Sequence, residues 1–182
     1  MTKILVLLAP GFEEIEAVTV IDLLRRAGIG VTTASITMER QVEGSHDIAI
    51  LADAIFEDLE TDKFDGIFLP GGQPGSNNLR ENNKVLETLR SFDRKRKWVT
   101  AICAAPLVLL EAGILTGHKV TSYPDEKGAF AGENYQDKMV VHDGHIITSR
   151  GVGTAVDLAL RLVELLQNKD IRDQLAERIL WK

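Results

Sequence analysis

One thiol and one oddly placed carboxyl are the groups in this chain best suited to chemistry. Cys103 is the only cysteine. It lies between residues 98–102, a short apolar and partly β-branched run, and residues 104–112, a run of helix formers. Pro106 falls in the first turn of that helix, where a missing N–H costs nothing. A side chain on such a strand-to-helix turn is pushed out at the carboxyl edge of a sheet. There it faces the free N–H groups and positive dipole end of the new helix, which favour thiolate over thiol. A free cysteine is as readily a small buried core residue. The weight therefore falls on two further segments.

The first is the opening segment. Residues 3–9 read as a strand buried on both faces, Pro10 and Gly11 as a turn, and residues 12–27 as a helix closed by Gly28. At ~100° per residue, Ala17, Val20, Ile21, Leu24 and Ala27 form one apolar arc. Glu13 and Glu16 fall inside or at the edge of that arc, and Glu14 points away. Acids in a first helical turn complement the dipole, which accounts for Glu13 and Glu14. Glu16 lies one turn in and faces the sheet, where a carboxyl needs a partner or a proton. The second segment is residues 66–75, an apolar strand running into a glycine-rich loop. Gly71 and Gly72 can bring backbone N–H groups close to a ligand or a charged sulfur. No Gly-Lys-Ser/Thr follows, so the loop is not a phosphate-binding P-loop. Parallel α/β sheets hold ligands outside the carboxyl ends of their strands. Three unusual features at three such ends make one site the economical reading.

The motifs at residues 9–16, 69–72 (Leu-Pro-Gly-Gly), 101–106 (Ala-Ile-Cys-Ala-Ala-Pro) and 148–154 (Thr-Ser-Arg-Gly-Val-Gly-Thr) resemble the ThiJ/PfpI superfamily, in that family's order and across nearly the whole chain. More narrowly, the chain is similar to the branch often described as deglycases. The resemblance implies a flavodoxin-like α/β/α sandwich with a mostly parallel sheet and a small hairpin, a homodimer and a readily oxidised cysteine. It assigns the reactive cysteine to Cys103, the protonated glutamate to Glu16 and the glycine amide facing the sulfur to Gly72. Two departures matter. Protease and amidotransferase relatives carry histidine directly after the cysteine, and here that position is Ala104, which disfavours a peptidase. Some members place a histidine near the cysteine where this chain has Tyr123, and a phenol of unperturbed pKa near ~10 is a poor base at neutral pH.

The chemistry of the pair follows from its parts. A thiolate and a carboxylate within hydrogen-bonding reach titrate together. Protonated Glu16, with the Gly72 and Ala104 amides, would stabilise a Cys103 thiolate. That thiolate can add to an aldehyde carbon to give a hemithioacetal, with Glu16 moving protons. It can equally take up peroxide oxygen to become sulfenic and then sulfinic acid. Two functions are therefore expected of the same residues. One is an enzyme acting on reactive dicarbonyls or their adducts, glyoxalase- or deglycase-like. The other is a redox sensor or chaperone whose output is oxidation of Cys103. Arg150, before a glycine-rich helix start, borders the pocket or serves as a scaffold contact. No nucleotide, metal or flavin fingerprint is present, and no cofactor is expected.

At 182 residues the chain fits one domain, 1–182, able to bury a real core. A net charge of −6 and a pI near 5.3 argue against nucleic acid or an anionic membrane as main partner. The basic residues Arg90, Arg94, Lys95, Arg96 and Lys97 read as a helix end balanced by Asp58, Glu60, Asp62 and Asp65. A lone cysteine and a short apolar N-terminal run followed by acids fit a reducing, cytoplasmic location. Strands are expected at 31–36, 66–70 and 119–122, a hairpin excursion at 39–51, and helices near 84–94, 154–166 and 171–181. Asp143-Gly144 reads as the turn of a second hairpin. His142 and His145 flank that turn as solvated residues without a clear third metal ligand, and neither His46 nor His118 has a motif around it. Thr154 and Asp157 have the spacing of a capping box. Ile15 and Val18 lie opposite the first helix's packing arc, beside Phe12 and Thr19, and this exposed apolar face predicts a two-fold homodimer.

Overall fold

Residues 4–8 are apolar at every position, and a strand of that kind is stable only with cover on both faces. The computed structural model describes residues 1–182 and places this run at the centre of the molecule. In chain order the elements are β1 (Lys3–Leu8), α1 (Glu14–Arg26), β2 (Gly30–Ser35), the hairpin β3 (Gln41–Glu43) and β4 (Ala49–Leu51), and β5 (Ala54–Ile55). Then come β6 (Gly66–Leu69), α2 (Gly75–Glu81), α3 (Asn83–Arg94), β7 (Trp98–Ile102) and α4 (Pro106–Glu111). The chain ends with β8 (Lys119–Val120), β9 (Asn134–Tyr135), the hairpin β10 (Val140–Asp143) and β11 (Ile146–Ser149), α5 (Ala155–Leu166) and α6 (Lys169–Arg178).

Seven strands form one sheet in the order β10-β11-β7-β6-β1-β2-β5. All its pairings are parallel except β10 with β11. The five central strands, taken in chain order, lie 2-1-3-4-5, the flavodoxin-like arrangement, whose switch point is the crevice between β1 and β6. Alternation along β1 divides the core. Leu5 and Leu7 pack with Leu79, Leu89, Phe92 and Val108 from α2, α3 and α4. Ile4, Val6 and Leu8 pack with Val20, Leu24, Leu158 and Val163 from α1 and α5 on the other face. Each large side chain so buried contributes about 1.5–3 kcal/mol. No helix is long and apolar enough to cross a membrane.

Several local expectations are corrected. The glycine-rich loop is shorter than expected, because α2 begins at Gly75. The strand expected at 119–122 stops at Val120 and pairs with a strand not anticipated, β9. The basic cluster is largely spent on backbone: Lys97 Nζ donates to the carbonyls of Asp62 and Phe64, and Arg90 Nε to that of Ala112. Of the acids expected to balance it, Asp62 meets Lys95 at 2.5 Å, while Glu60 pairs with Lys63 and Asp65 accepts from the Lys3 amide. Phe12, expected on the exposed face, is fully buried, whereas Ile15 and Val18 are exposed as expected.

The largest correction concerns Glu14. It does not point into solvent but is buried beneath the turn of the β3–β4 hairpin. Its carboxylate accepts from the His46 amide at 2.6 Å and the Ile48 amide at 3.4 Å, and its second oxygen lies 3.0 Å from His46 Nδ1. Gly44 makes this possible, since a Cβ there would stand 2.3 Å from Glu14 Oε1. The hairpin is further bound to the start of α1 by Gly11 N–H to Glu43 O at 2.8 Å and Ser45 N–H to Phe12 O at 2.8 Å.

Burial alone would raise the Glu14 pKa, but the hydrogen bonds from His46 and Ile48 outweigh it and hold it at about 2. A depressed carboxyl pKa contributes stability that is present above the ordinary value of 4.5 and lost as pH falls toward about 2. Glu14→Gln should therefore lower stability at pH 7 by about 1.5–3 kcal/mol, the worth of a hydrogen bond to a charged group. The gap from the native chain should close as the pH falls. Urea melts of both proteins across that range check the sign and the slope.

Candidate active site

The three expected strand ends meet. β7 runs in register with β11 to the pair Ile102–Ser149, and there the chain turns sharply. Cys103 takes φ +63°, the left-handed region that costs a non-glycine residue of order 1–3 kcal/mol. Two hydrogen bonds hold it there: its N–H donates to Ser149 O at 3.0 Å, and its carbonyl accepts from Tyr123 N–H at 2.8 Å. The helix begins only at Pro106, so Ala104 and Ala105 complete the elbow. The Cys103 side chain is half-buried and opens into the crevice.

Glu16 is completely buried on the sheet-facing side of α1. Its Oε2 accepts the Gly71 N–H at 2.9 Å, and its Oε1 has no hydrogen-bond partner. The contact depends on glycine. A Cβ at Gly71 would lie 2.5 Å from Cys103 Cβ and 2.8 Å from Glu16 Oε2. The loop is tied to α1 a second time, by Glu13 N–H donating to Gly71 O at 2.9 Å. The unpartnered Oε1 and the Cys103 sulfur converge: a methyl built on Gly151 would be 3.9 Å from each.

Burial raises the Glu16 carboxyl to about 7, with the Gly71 hydrogen bond and the nearby Cys103 thiol pulling it down and the Glu13 charge adding to the rise. The thiol of Cys103 is pushed up to about 12, first by burial and then by the charge and close approach of the Glu16 carboxylate. The Ala104 and Gly72 amides work the other way, so the helix N-terminal effect expected for thiolate is present but outweighed. Two of these influences change sign when Glu16 takes up a proton: its charge disappears, and the carboxyl becomes a donor. The thiolate is thus favoured only while Glu16 holds the proton.

The pair lies in an open cavity of about 580 Å³ lined also by Glu13, Gly72, Tyr123, Arg150, Gly151 and Thr154. The Tyr123 ring packs over Gly151, and Arg150 is held by an ion pair to Asp137. Arg150 is therefore both pocket wall and scaffold contact. The sequence alone does not single out Asp137 or Glu13 as parts of this site. Asp137 is distant in sequence from every motif, and Glu13 had a sufficient explanation in the helix dipole. The capping box expected from Thr154 and Asp157 is absent. The Thr154 hydroxyl instead accepts from the Arg150 and Gly151 amides and meets Ser149 Oγ at 2.7 Å. It shapes the loop that carries Arg150 and closes over the sulfur.

The histidines depart from expectation. His142 and His145 do not share a side of their hairpin. A ring nitrogen of His142 lies 3.0 Å from Arg161 Nη2, whereas His145 is buried with Nε2 2.8 Å from Asp93 Oδ1 and its ring edge-on to His118. Burial lowers the His145 pKa despite that carboxylate. Two groups have metal-ligand spacing: Glu13, Glu14 and His46 beside the cavity, and Asp93, His118 and His145 away from it.

Comparison with known proteins agrees with this fold. The model of the DJ-1/PfpI family matches residues 2–165. The protein dj-1beta of Drosophila melanogaster is 44% identical over 97% of this chain and 95% of its own length. Its crystal structure superposes with a TM-score of 0.96, covering 100% of this chain and 98% of that one. A Pyrococcus abyssi protein named a deglycase is 33% identical over 91% of this chain and 99% of its own. A strained cysteine at a strand-to-helix elbow and a buried glutamate at the switch point of a 2-1-3-4-5 sheet thus sit in a chain that belongs to the DJ-1/PfpI family.

Proposed function

We propose that this protein acts on small reactive dicarbonyls or their adducts, with Cys103 as nucleophile and Glu16 as proton donor and acceptor. One observation carries the reading: the Cys103 sulfur and the unpartnered Oε1 of Glu16 converge on one point of an open cavity. The deglycase name of the Pyrococcus relative supports the substrate class. The Cys103 thiolate adds to the aldehyde carbon of a 2-oxoaldehyde, and the carbonyl oxygen takes the proton from Glu16 to give a hemithioacetal. Glu16, now a carboxylate, removes the proton from the former aldehyde carbon and returns it to the neighbouring carbon, while the hydroxyl proton passes from the first oxygen to the second. The product is a 2-hydroxy thioester, isomeric with the hemithioacetal. Water cleaves it, releasing the 2-hydroxy acid and the thiol. Tyr123 and Arg150 line the cavity, and Gly72 and Ala104 present amides to the sulfur.

Pure protein should turn over methylglyoxal weakly. Cys103→Ser should abolish the activity, and Glu16→Gln should reduce it by ~10²–10⁴-fold, the usual worth of a placed proton carrier. Tyr123→Phe should change it little. As pH rises through about 7, the Glu16–Cys103 pair loses its first proton, and part of the singly protonated form is thiolate. Cys103 alkylation should accordingly rise through that pH in the native chain, and the inflection should vanish in Glu16→Gln. Turnover that survives Cys103→Ser overturns the assignment.

A second reading uses the same pair as a redox sensor. It is favoured by the free Oε1 and the two amides, which can receive the oxygens of an oxidised sulfur. Mild peroxide should convert Cys103 selectively to sulfinic acid, and Glu16→Ala should slow or divert this. Peptide mapping by mass spectrometry reads both.

Assembly as a homodimer through α1 completes the proposal. Ile15 and Val18 are 54% and 48% exposed on its outer face, where a folded monomer gains nothing from them. Light scattering at micromolar concentration should give the mass of a dimer, and Val18→Asp should shift it toward monomer.

A further inference from the structure

Tyr123 stands where some members of the family place histidine, and the reaction set out above gives it no step. One wall of the cavity is built from it together with Pro124 and Val152. Tyr123 and Val152 are 44% and 41% exposed, so neither is there to fill the core. We propose that this wall binds the substituent of the substrate, and that the preferred substrates are 2-oxoaldehydes carrying an aromatic or branched apolar group rather than methylglyoxal. This substrate class rests on the catalytic reading of Cys103 and Glu16.

Distances place the wall beside the reacting atoms. A methyl built on Gly151 would lie 3.9 Å from Cys103 Sγ, 3.9 Å from Glu16 Oε1 and 3.5 Å from Tyr123 Cδ2. Gly151 carries no such methyl, so a substrate atom can occupy that point. An aldehyde carbon held near it, between sulfur and carboxyl, sets the group on the adjacent carbon against the ring. Pro124 directly follows Tyr123 in the chain, and Val152 directly follows Gly151, which keeps both beside the ring. The methyl of methylglyoxal covers little of a phenol, whereas an aryl group can stack on it in an offset arrangement.

Size and charge agree. The cavity of about 580 Å³ falls within the ~300–1,000 Å³ of pockets that hold ligands far larger than a three-carbon aldehyde. Its charged walls are already engaged: Arg150 with Asp137, and Glu13 with the Ser45 hydroxyl at 3.3 Å and His46 Nδ1 at 3.6 Å. The lining left without a partner is apolar. Binding energy from a group remote from the reacting carbon can be spent on orienting that carbon. Methylglyoxal has no such group, which is why weak turnover is expected of it.

The test compares initial rates with phenylglyoxal and methylglyoxal in the native chain and three variants. Native kcat/KM should favour phenylglyoxal by at least ~10-fold, the lower end of what one added methylene is worth in an apolar pocket, with the difference mainly in KM. Tyr123→Ser and Val152→Ser, which alter exposed side chains and should leave the circular dichroism spectrum unchanged, should each shrink that preference. Tyr123→Phe should keep it. The intrinsic reactivity of the two aldehydes cancels when variants are compared. Binding is read separately, without turnover: mandelate, the 2-hydroxy acid formed from phenylglyoxal, should protect Cys103 from alkylation at a several-fold lower concentration than lactate. Tyr123→Ser should abolish that difference. The proposal is overturned if the preference survives both serine variants undiminished, or if mandelate and lactate protect alike. Turnover of neither aldehyde overturns the catalytic reading instead, and preferential protection by mandelate then still upholds the wall as the binding site.

Discussion

A carboxyl group with no access to water must find its hydrogen bonds inside the protein, and Glu16 finds one of two. The bond it makes, to the Gly71 amide, ties α1 to the loop after β6 across the switch point of the sheet. The bond it lacks leaves Oε1 facing the sulfur. Replacing the group with an apolar side chain would relieve the burial, yet the loop amide would then be orphaned in its place. The return bond from Glu13 N–H to Gly71 O makes the connection reciprocal. The geometry of the site is therefore inseparable from the packing of the first helix.

The strained elbow depends on the same arrangement from the other side. Cys103 is held in its left-handed conformation by the Ser149 and Tyr123 hydrogen bonds, and the missing side chain of Gly71 leaves the space that the Cys103 Cβ approaches. The pKa values of the pair follow from this enclosure. Burial disfavours both charges, so near neutral pH the site holds a second proton that a carboxyl in water would have lost. Where that proton resides decides whether the sulfur repels or attracts its neighbours. A catalytic and an oxidative use of Cys103 draw on this one property, and they differ in what approaches the cavity.

Periodicity and turn chemistry revealed most of the frame. The apolar run of β1, the arc of α1, the elbow at Cys103 and the Asp143-Gly144 turn are local signals, and each appears where those signals place it. Glu16 was legible because a carboxyl inside an apolar arc contradicts its surroundings. Glu14 was not, since its partners are backbone amides of a turn 32 to 34 residues away. No periodicity within a helix reports what a distant hairpin lays upon it. The same holds for His145, whose partner Asp93 is 52 residues off, and for Asp137 beside Arg150. The thiol's environment was legible in kind but not in sign. Helix N-terminal amides can be read from sequence, whereas the opposing burial depends on how closely the Gly71 loop approaches.

The two edges of the sheet are joined by the same pair of strands. The Val99 amide donates to the His145 carbonyl at one end of β7 and β11, and the Cys103 amide donates to Ser149 O at the other. Between them lie the four paired residues of β11, about 13 Å at ~3.3 Å per residue. These strands are covered on both faces, so a slip of one residue would turn their apolar side chains to the wrong side. Stability supplied by the buried His145–Asp93 pair and chemistry supplied at the thiol are thus separable, and substitutions at the two edges should combine additively.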